Sequence, residues 1–263
     1  MSDSTTSSTV TRDDADGVAI LTLQRPALSS ALRRDLLAVV RDVAVDTSVR
    51  AVLLTGTGRA FCVGQDLAEH VETLRGNAET SLSVVEEEYN PLILALAALQ
   101  VPLVVAINGA CAGAGLGIAL AGDLRIAAAG AKFTTAFTGI GLSSDSALAS
   151  RLVRSVGLSR ATELLLLPDP FLAETAAEWG LVNRVVAPEQ VLPEARALAG
   201  RLAAGPTASY RAVKTVLATA ATDSLEGTLA LEARLQTELG RTADHREAVE
   251  AFLAKRAPEF TGH

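Results

Sequence analysis

A chain of 263 residues, 49% of them hydrophobic and with a formal net charge of −7, can form one large domain, or a domain with an appendage, around a substantial core. The negative charge argues against nucleic acid or an anionic membrane as a general partner, but an anionic small molecule needs only a local cluster of Arg and Lys. Two cysteines, Cys62 and Cys111, are too few for a disulfide framework and point to a reduced, cytoplasmic protein, and no apolar run reaches the ~18 residues of a membrane span.

Residues 1–9 are rich in Ser and Thr and read as a flexible leader. Residues 18–23 read as the first strand, stopped at Arg25-Pro26. Ser30 is expected to cap a helix whose apolar positions Leu32, Leu36, Val39, Val40 and Val43 follow the helical period. A second strand, 51–55, is too apolar to be exposed on either face. After a loop with Gly56 and Gly58 comes Ala60-Phe61-Cys62-Val63-Gly64-Gln65-Asp66-Leu67. Asp66 with Glu69 three residues on fits a capping box, so a helix starts there.

Residues 75–81 lack a period and read as a mobile loop, and helical patterning returns over 82–99 with a kink or restart at Asn90-Pro91. Strands follow at 103–107 and 124–127, and the alternation predicts α/β units with parallel pairing. Between those two strands lies a glycine-rich turn, with Gly109, Gly113, Gly115 and Gly117, leading into a short apolar helix. Its main-chain N–H groups and the helix dipole suit an oxygen that gains negative charge. A plain strand-to-helix packing turn is the other reading. Further on, Ser143-Ser144-Asp145 precedes a helix carrying Arg151 and Arg154. Ser159 is expected to cap another helix, Pro168-Asp169-Pro170 breaks it, and Trp179-Gly180 ends the next. A short strand spans 182–186. Gly205-Pro206 then separates one helix from two long ones, whose apolar faces over 208–255 pack on the core and on a neighbouring subunit.

Between Glu88 and Glu163 the only carboxylates are Asp123 and Asp145. Asp123 closes the helix after the glycine turn and points away from its N-terminus, which leaves Asp145 as the acid or base nearest that turn. Asp145 reads either as an N-cap or as a carboxylate facing an apolar cleft, its pKa raised by desolvation. The scattered His residues give no metal site, no Lys-Ser or Lys-Thr follows the glycines as in a phosphate loop, and Ser143 and Ser144 have no nearby His. Cys111, without a basic neighbour, reads as a buried inert thiol.

Three stretches, Ala60 to Leu67, Asn108 to Asp123, and Trp179-Gly180-Leu181-Val182, resemble the enoyl-CoA hydratase/isomerase (crotonase) family, and the similarity runs over nearly the whole chain. The resemblance implies an α/β fold, a crotonase (ClpP-like) spiral of β-β-α units over residues 10–204. A helical C-terminal region, 205–263, would make the contacts of a homotrimer or a dimer of trimers. It implies an acyl-CoA thioester substrate, with coenzyme A as part of that substrate and no separate cofactor or metal. By position, the backbone N–H groups of Gln65 and Ala114 would form an oxyanion hole. Residues 24–27 and 62–67, among them Arg25, Ala27, Cys62, Gly64, Asp66 and Leu67, would line the coenzyme A groove with Gly113, and Lys255 would come from a neighbour. Phe137, Leu142, Leu148 and the loop near Arg75 would shape the acyl pocket.

Hydratases of this family use two glutamates, and the matching positions here are Gly117 and Phe137. Asp145 falls instead where phenylacetate-pathway enoyl-CoA isomerases, with a Gly-Leu-x-x-Asp-Ser pattern, carry their acid/base. This chain has Gly141-Leu142-Ser143-Ser144-Asp145-Ser146. Chlorobenzoyl-CoA dehalogenases also place an Asp near this point, as a nucleophile. The expectation is a double-bond shift by proton transfer through Asp145. The alternatives are hydration with acids from Glu86, Glu87 or Glu88, and an acyl-CoA binder without turnover.

Overall fold

The computed structural model describes residues 8–77 and 79–263. Most of the expected leader, 1–7, lies outside the described residues, as does Ala78 of the expected loop. Thr9, by contrast, is held at the core, its N–H and Oγ1 donating to Asp35 Oδ2 at 3.0 and 2.6 Å.

The first hairpin pairs β1 (Val10–Ala15) with β2 (Val18–Leu23). Its two-residue turn, Asp16-Gly17, has positive φ at both residues (51° and 76°), the backbone that follows the right-handed twist of the strands. The sequence reading missed β1 because the strand lies at the sheet edge and exposes most of its polar residues; Asp-Gly was the available signal. After β3 (Ala27–Leu28), α1 (Ser30–Val45) buries Leu32, Leu36, Val40 and Val43, and with them Arg33. Its cap is Ser29, whose side chain accepts from Leu32 N, and Ser30 is the first helical residue rather than the cap.

Thereafter a long strand and a short one repeat before each helix. The first such unit is β4 (Ala51–Gly56), β5 (Ala60–Cys62), β6 (Gly64–Gln65) and α2 (Leu67–Gly76). Asp66 caps α2 as expected, accepting from Ala68 N and Glu69 N. Glu69 does not complete a capping box; its carboxylate accepts from Ser30 N at 2.8 Å. The helix runs on to Gly76, so the expected loop begins later than 75. A π-helical turn, Val85–Tyr89, precedes α3 (Asn90–Ala98). Pro91 lacks an N–H and its ring crowds the preceding turn, and a widened turn there is the form that the anticipated kink takes.

The next unit is β7 (Leu103–Ile107), β8 (Ala110–Ala112) and α4 (Ala114–Ala121). It is followed by β9 (Leu124–Ala128), β10 (Lys132–Thr134), a 3₁₀ turn at Phe137–Ile140, and α5 (Leu148–Leu166). α5 is broken at Gly157 (φ 75°, ψ 166°) rather than at Ser159. Then come β11 (Phe171–Leu172), α6 (Ala173–Glu178), β12 (Arg184–Val186) and α7 (Val191–Ala203).

The long strands form a six-stranded sheet in the order β1-β2-β4-β7-β9-β12, parallel except for β1. The short strands build a second sheet, β11-β10-β8-β5, and the pair β3-β6. This is the spiral of β-β-α units that the motifs imply. β7 is buried at every residue, as a parallel strand covered on both faces must be.

The C-terminal region has three helices after Gly205-Pro206, not two: α8 (Thr207–Ala220), α9 (Leu225–Leu239) and α10 (Ala243–Leu253). Ser224 and Thr242 cap the last two, accepting from Gly227 N and His245 N; these two caps were the missed signals. The tail returns to the body of the protein. Asp244, buried in α10, accepts from Thr261 N and Gly262 N, while Arg50 donates to Phe260 O and Gly205 O.

Candidate active site

The glycine turn works by close approach. Gly113 opens α4 at φ 53°, ψ −126°, a backbone that L side chains rarely adopt. A Cβ on Gly115 would lie 2.3 Å from Cys62 O, so only glycine lets α4 rest on β5. On the other side, a Cβ on Gly64 would lie 3.1 Å from Ala112 O and 3.5 Å from Ala114 N. The segment carrying Gln65 therefore touches the start of α4. Ala114, as the first residue of the helix, has an N–H with no intrahelical partner, and the positive end of the α4 dipole lies there. A free backbone N–H at the positive end of a helix is able to hold an oxygen that gains negative charge.

Asp145 stands half-buried between the 3₁₀ turn and α5. Its carboxylate accepts from Ser146 Oγ at 2.7 Å, and its backbone carbonyl accepts from Leu148 N at 2.9 Å. The side chain is not the cap of α5: that position is Ala147, left-handed and without a side-chain bond. Ser146 and Ala147 both have positive φ (53° and 57°), a costly conformation for two consecutive residues with a Cβ. Burial raises the Asp145 carboxyl above the usual range, outweighing the Ser146 hydrogen bond and the positive field of Arg33.

The position where a hydratase of the family keeps its first glutamate is filled from outside. A Cβ on Gly117 would meet Ser146 Cβ at 2.6 Å and Ser146 O at 2.7 Å. The loop that presents Asp145 thus occupies the room that a side chain at 117 needs. The second position, Phe137, is a buried ring against Gly113, whose Cβ would lie 3.9 Å from it.

The sequence reading missed a buried ionic group beside these residues. Arg33 is 4% exposed. It donates from Nε to Glu88 Oε2 at 2.7 Å and from Nη1 to Leu28 O and to Tyr89 OH, and its guanidinium lies 4.8 Å from the centre of the Tyr89 ring. Glu88 also accepts from Ser30 Oγ at 2.7 Å. Burial opposes charge on Glu88, but Ser30, Arg33 and Arg34 prevail, and its carboxyl lies below the usual range. Tyr89 is pushed up, first by burial, with Asp145 adding to the effect. The available signal was Arg33 itself, a charge in line with Leu36 and Val40 on the apolar face of α1.

The other expected site residues are spread over four places. Ala27 pairs with Gly64, Val63 N donates to Pro26 O at 2.8 Å, and Arg25 and Leu67 stand exposed on either side of this strand pair, with Asp66 at the foot of α2. Cys62 and Leu148 are fully buried, so neither side chain lines an open groove or pocket. Burial pushes the Cys62 thiol up to about 12, and Cys111 is raised likewise, which leaves both in the inert form. Leu142 packs on the core beside Phe137, its N–H on Phe137 O at 3.0 Å. Lys255 is exposed beyond α10, and among the described residues no hydrogen bond or ion pair brings its side chain to the others. Among the described residues, no group of three or more His, Cys, Asp or Glu is placed to hold a metal ion.

A cavity of about 290 Å³ opens at Gln65. Its walls are Ser30 and Arg33 of α1, Glu69, His70, Glu72 and Thr73 of α2, and Thr80, Ser81, Ser83, Val84, Glu87 and Glu88. Phe137, Leu142 and Leu148, the side chains expected to shape an acyl pocket, are not in that lining.

A profile described as enoyl-CoA hydratase/isomerase matches residues 13–263. A Rhodobacter capsulatus protein described as a probable enoyl-CoA hydratase is 44% identical over 97% of this chain and 98% of its own length. The 1,2-epoxyphenylacetyl-CoA isomerase of Escherichia coli is 42% identical over 94% and 95%. A crystal structure of a Mycobacterium abscessus protein, provisionally described as an enoyl-CoA hydratase/isomerase, superposes with a TM-score of 0.95 at 49% identity, covering 97% of this chain and all of that one. The chain belongs to the enoyl-CoA hydratase/isomerase family, and the spiral described above is that family's fold. Among the described residues, no helix is long and apolar enough to cross a membrane.

Proposed function

We propose that this enzyme shifts the double bond of an enoyl-CoA thioester by proton transfer through Asp145. The thioester carbonyl sits at the N–H groups of Gln65 and Ala114. From a 3-enoyl thioester Asp145 takes a proton at C2, the electron pair moves into a dienolate held by those two donors, and the proton returns at C4 to give the conjugated 2-enoyl product. No water is added, so one carboxylate serves both transfers. The reaction draws on no metal and no separate cofactor, coenzyme A entering as part of the substrate. We infer also that the exposed apolar residues of the C-terminal helices, among them Leu217, Leu229, Phe252 and Leu253, are subunit contacts of a trimer or a dimer of trimers, which sedimentation would read directly.

The observation that carries the reading is at Gly117. A second carboxylate there is sterically blocked by Ser146, while the remaining acid is half-buried with a raised pKa, as a group that must both take and give a proton needs. Of Glu86, Glu87 and Glu88, offered by the sequence as acids for hydration, Glu88 is committed to Arg33 and Ser30, and Glu86 and Glu87 are exposed to solvent. The test follows the absorbance of the conjugated thioester with 3-enoyl-CoA and 2-enoyl-CoA substrates. Wild type is expected to form the conjugated product, and Asp145→Ala to bind acyl-CoA without forming it. Loss of conjugation from 2-enoyl-CoA that survives Asp145→Ala would establish hydration instead.

A further inference from the structure

The cavity at Gln65 is unlike a pocket for a fatty tail. Among its described lining residues, Val84 alone has a wholly apolar side chain. Ser30, Thr73, Thr80, Ser81 and Ser83 bring hydroxyls, Gln65 and His70 bring an amide and an imidazole, and four carboxylates, Glu69, Glu72, Glu87 and Glu88, face one guanidinium, Arg33. Several of these groups are already engaged. Glu88 is bound to Arg33 and Ser30, Glu69 to Ser30 N, and His70 Nδ1 lies 3.4 Å from Gln65 Nε2. Glu72 and Glu87 are in no ion pair among the described residues and leave the cavity with excess negative charge.

We infer that this cavity, whose lining includes Gln65 but not Asp145, receives the distal end of the acyl group, beyond the carbons that react, and that it selects short acyl groups ending in a neutral hydrogen-bonding oxygen, such as a hydroxyl, over plain alkyl chains and over chains ending in a carboxylate. Three physical arguments support this. At about 290 Å³ the space is at the lower end of the range for ligand pockets, so a long chain does not fit within it. An alkyl chain placed there would strip water from hydroxyls and carboxylates and return no hydrogen bond, a loss that discriminates more strongly than one missing methylene. A carboxylate tail would meet Glu72 and Glu87 as like charges.

The inference rests on the proposed function in one respect, that the thioester carbonyl lies at Gln65 and Ala114. Its test is kept separate from the chemistry by using saturated thioesters, which bind but cannot isomerise. Hexanoyl-CoA and its terminal hydroxy and terminal carboxy derivatives are titrated into the enzyme by calorimetry. The hydroxy derivative is expected to bind tightest, with the carboxy derivative weaker by at least about tenfold at low salt. In the double variant Glu72→Gln/Glu87→Gln that gap should shrink by about threefold or more, because the repelling charges are gone. Tightest binding of hexanoyl-CoA, equal binding of the hydroxy and carboxy derivatives, or an unchanged gap in the double variant would overturn the inference. The matching 3-enoyl thioesters are assayed alongside. Should none of them yield conjugated product while the binding order holds, the isomerase reading fails and the pocket assignment stands.

Discussion

Asp145 and Glu88 both feel the charge of Arg33, and both are half-buried, yet their carboxyls are driven in opposite directions. Burial disfavours charge on each. Glu88 answers with direct bonds from Arg33 Nε and Ser30 Oγ and is held ionised. Asp145 has a single hydrogen bond, from its neighbour Ser146, and feels Arg33 only as a field. A fully partnered carboxylate is fixed in one state, whereas a carboxylate kept short of partners changes state at modest cost. Of the two, Asp145 is the one left short of partners, and the proposed function gives it the proton transfer.

The largest expected effect separates the two directly. Asp145→Asn keeps the size of the side chain and an acceptor for Ser146, and should lower kcat by about 10²-fold or more, the usual worth of a general acid–base group. Glu88→Gln should leave kcat within about tenfold of wild type, since Glu88 touches no reacting atom in the proposed step. Steady-state isomerisation assays on both variants measure the contrast, and an equal loss in the two would erase it.

The next effect concerns the pair that fixes Glu88. Arg33→Met leaves a carboxylate without its partner in a partly buried setting and should cost about 3 kcal/mol in denaturant unfolding. Replacing both partners, as in Arg33→Met/Glu88→Leu, should recover most of that loss, because what destabilises is the unpaired charge rather than the missing bond. A double variant no more stable than the single one would mean that Arg33 acts through packing on Tyr89 instead.

Gly117 tests the other side of the comparison, the loop that keeps Asp145 short of partners. Gly117→Ala places a Cβ 2.6 Å from Ser146 Cβ, so the loop has to shift. Overpacking of this kind costs about 1–3 kcal/mol. We expect kcat to fall as well, since displacement of Ser146 moves Asp145. A melting curve and a kcat measurement on the same preparation check the pair of effects. An Ala variant as stable and active as wild type would show that the loop is softer than its positive-φ backbone implies.

Much of this was legible in the sequence, and the failures share a cause. The long buried strands and most helix boundaries follow from periodicity and from Gly and Pro, as at β7 and Pro91. Short strands such as β6 and β10 have two and three residues, too few for any period, and exist because the spiral brings neighbours alongside them. The close approach of α4 to β5 and β6 was readable from the glycine positions, and the family from its motifs. The role of Gly117 was half readable: the missing acid was visible, but not that Ser146 fills its place, since 117 and 146 meet only in three dimensions. The Arg33–Glu88 pair joins positions 55 apart, and a lone Arg on an apolar helix face signals burial without naming its partner.

The smallest effect is a difference in the slope of stability against pH. The folded pKa of Glu88 lies below its unfolded value, so its contribution is present above the ordinary glutamate range and lost as pH falls through the lowered value. Asp145 has the opposite sign. Its folded pKa is raised, so its contribution is full below the ordinary aspartate value and lost as pH rises through the raised one. Denaturant unfolding from pH 7 down to about pH 3, a span that crosses the reference carboxylate values of about 4, should therefore show Glu88→Gln with a shallower fall in stability towards acid than wild type. Asp145→Asn should show a steeper fall, because it removes the one group of the two that favours the folded state at low pH. Its stability at neutral pH should equal or exceed that of wild type, as expected when a poorly solvated charge is removed. Slopes that change in the same direction in both variants would mean that Asp145 is partnered in the folded protein much as Glu88 is, and the distinction between a fixed and a proton-carrying carboxylate would then rest on kinetics alone.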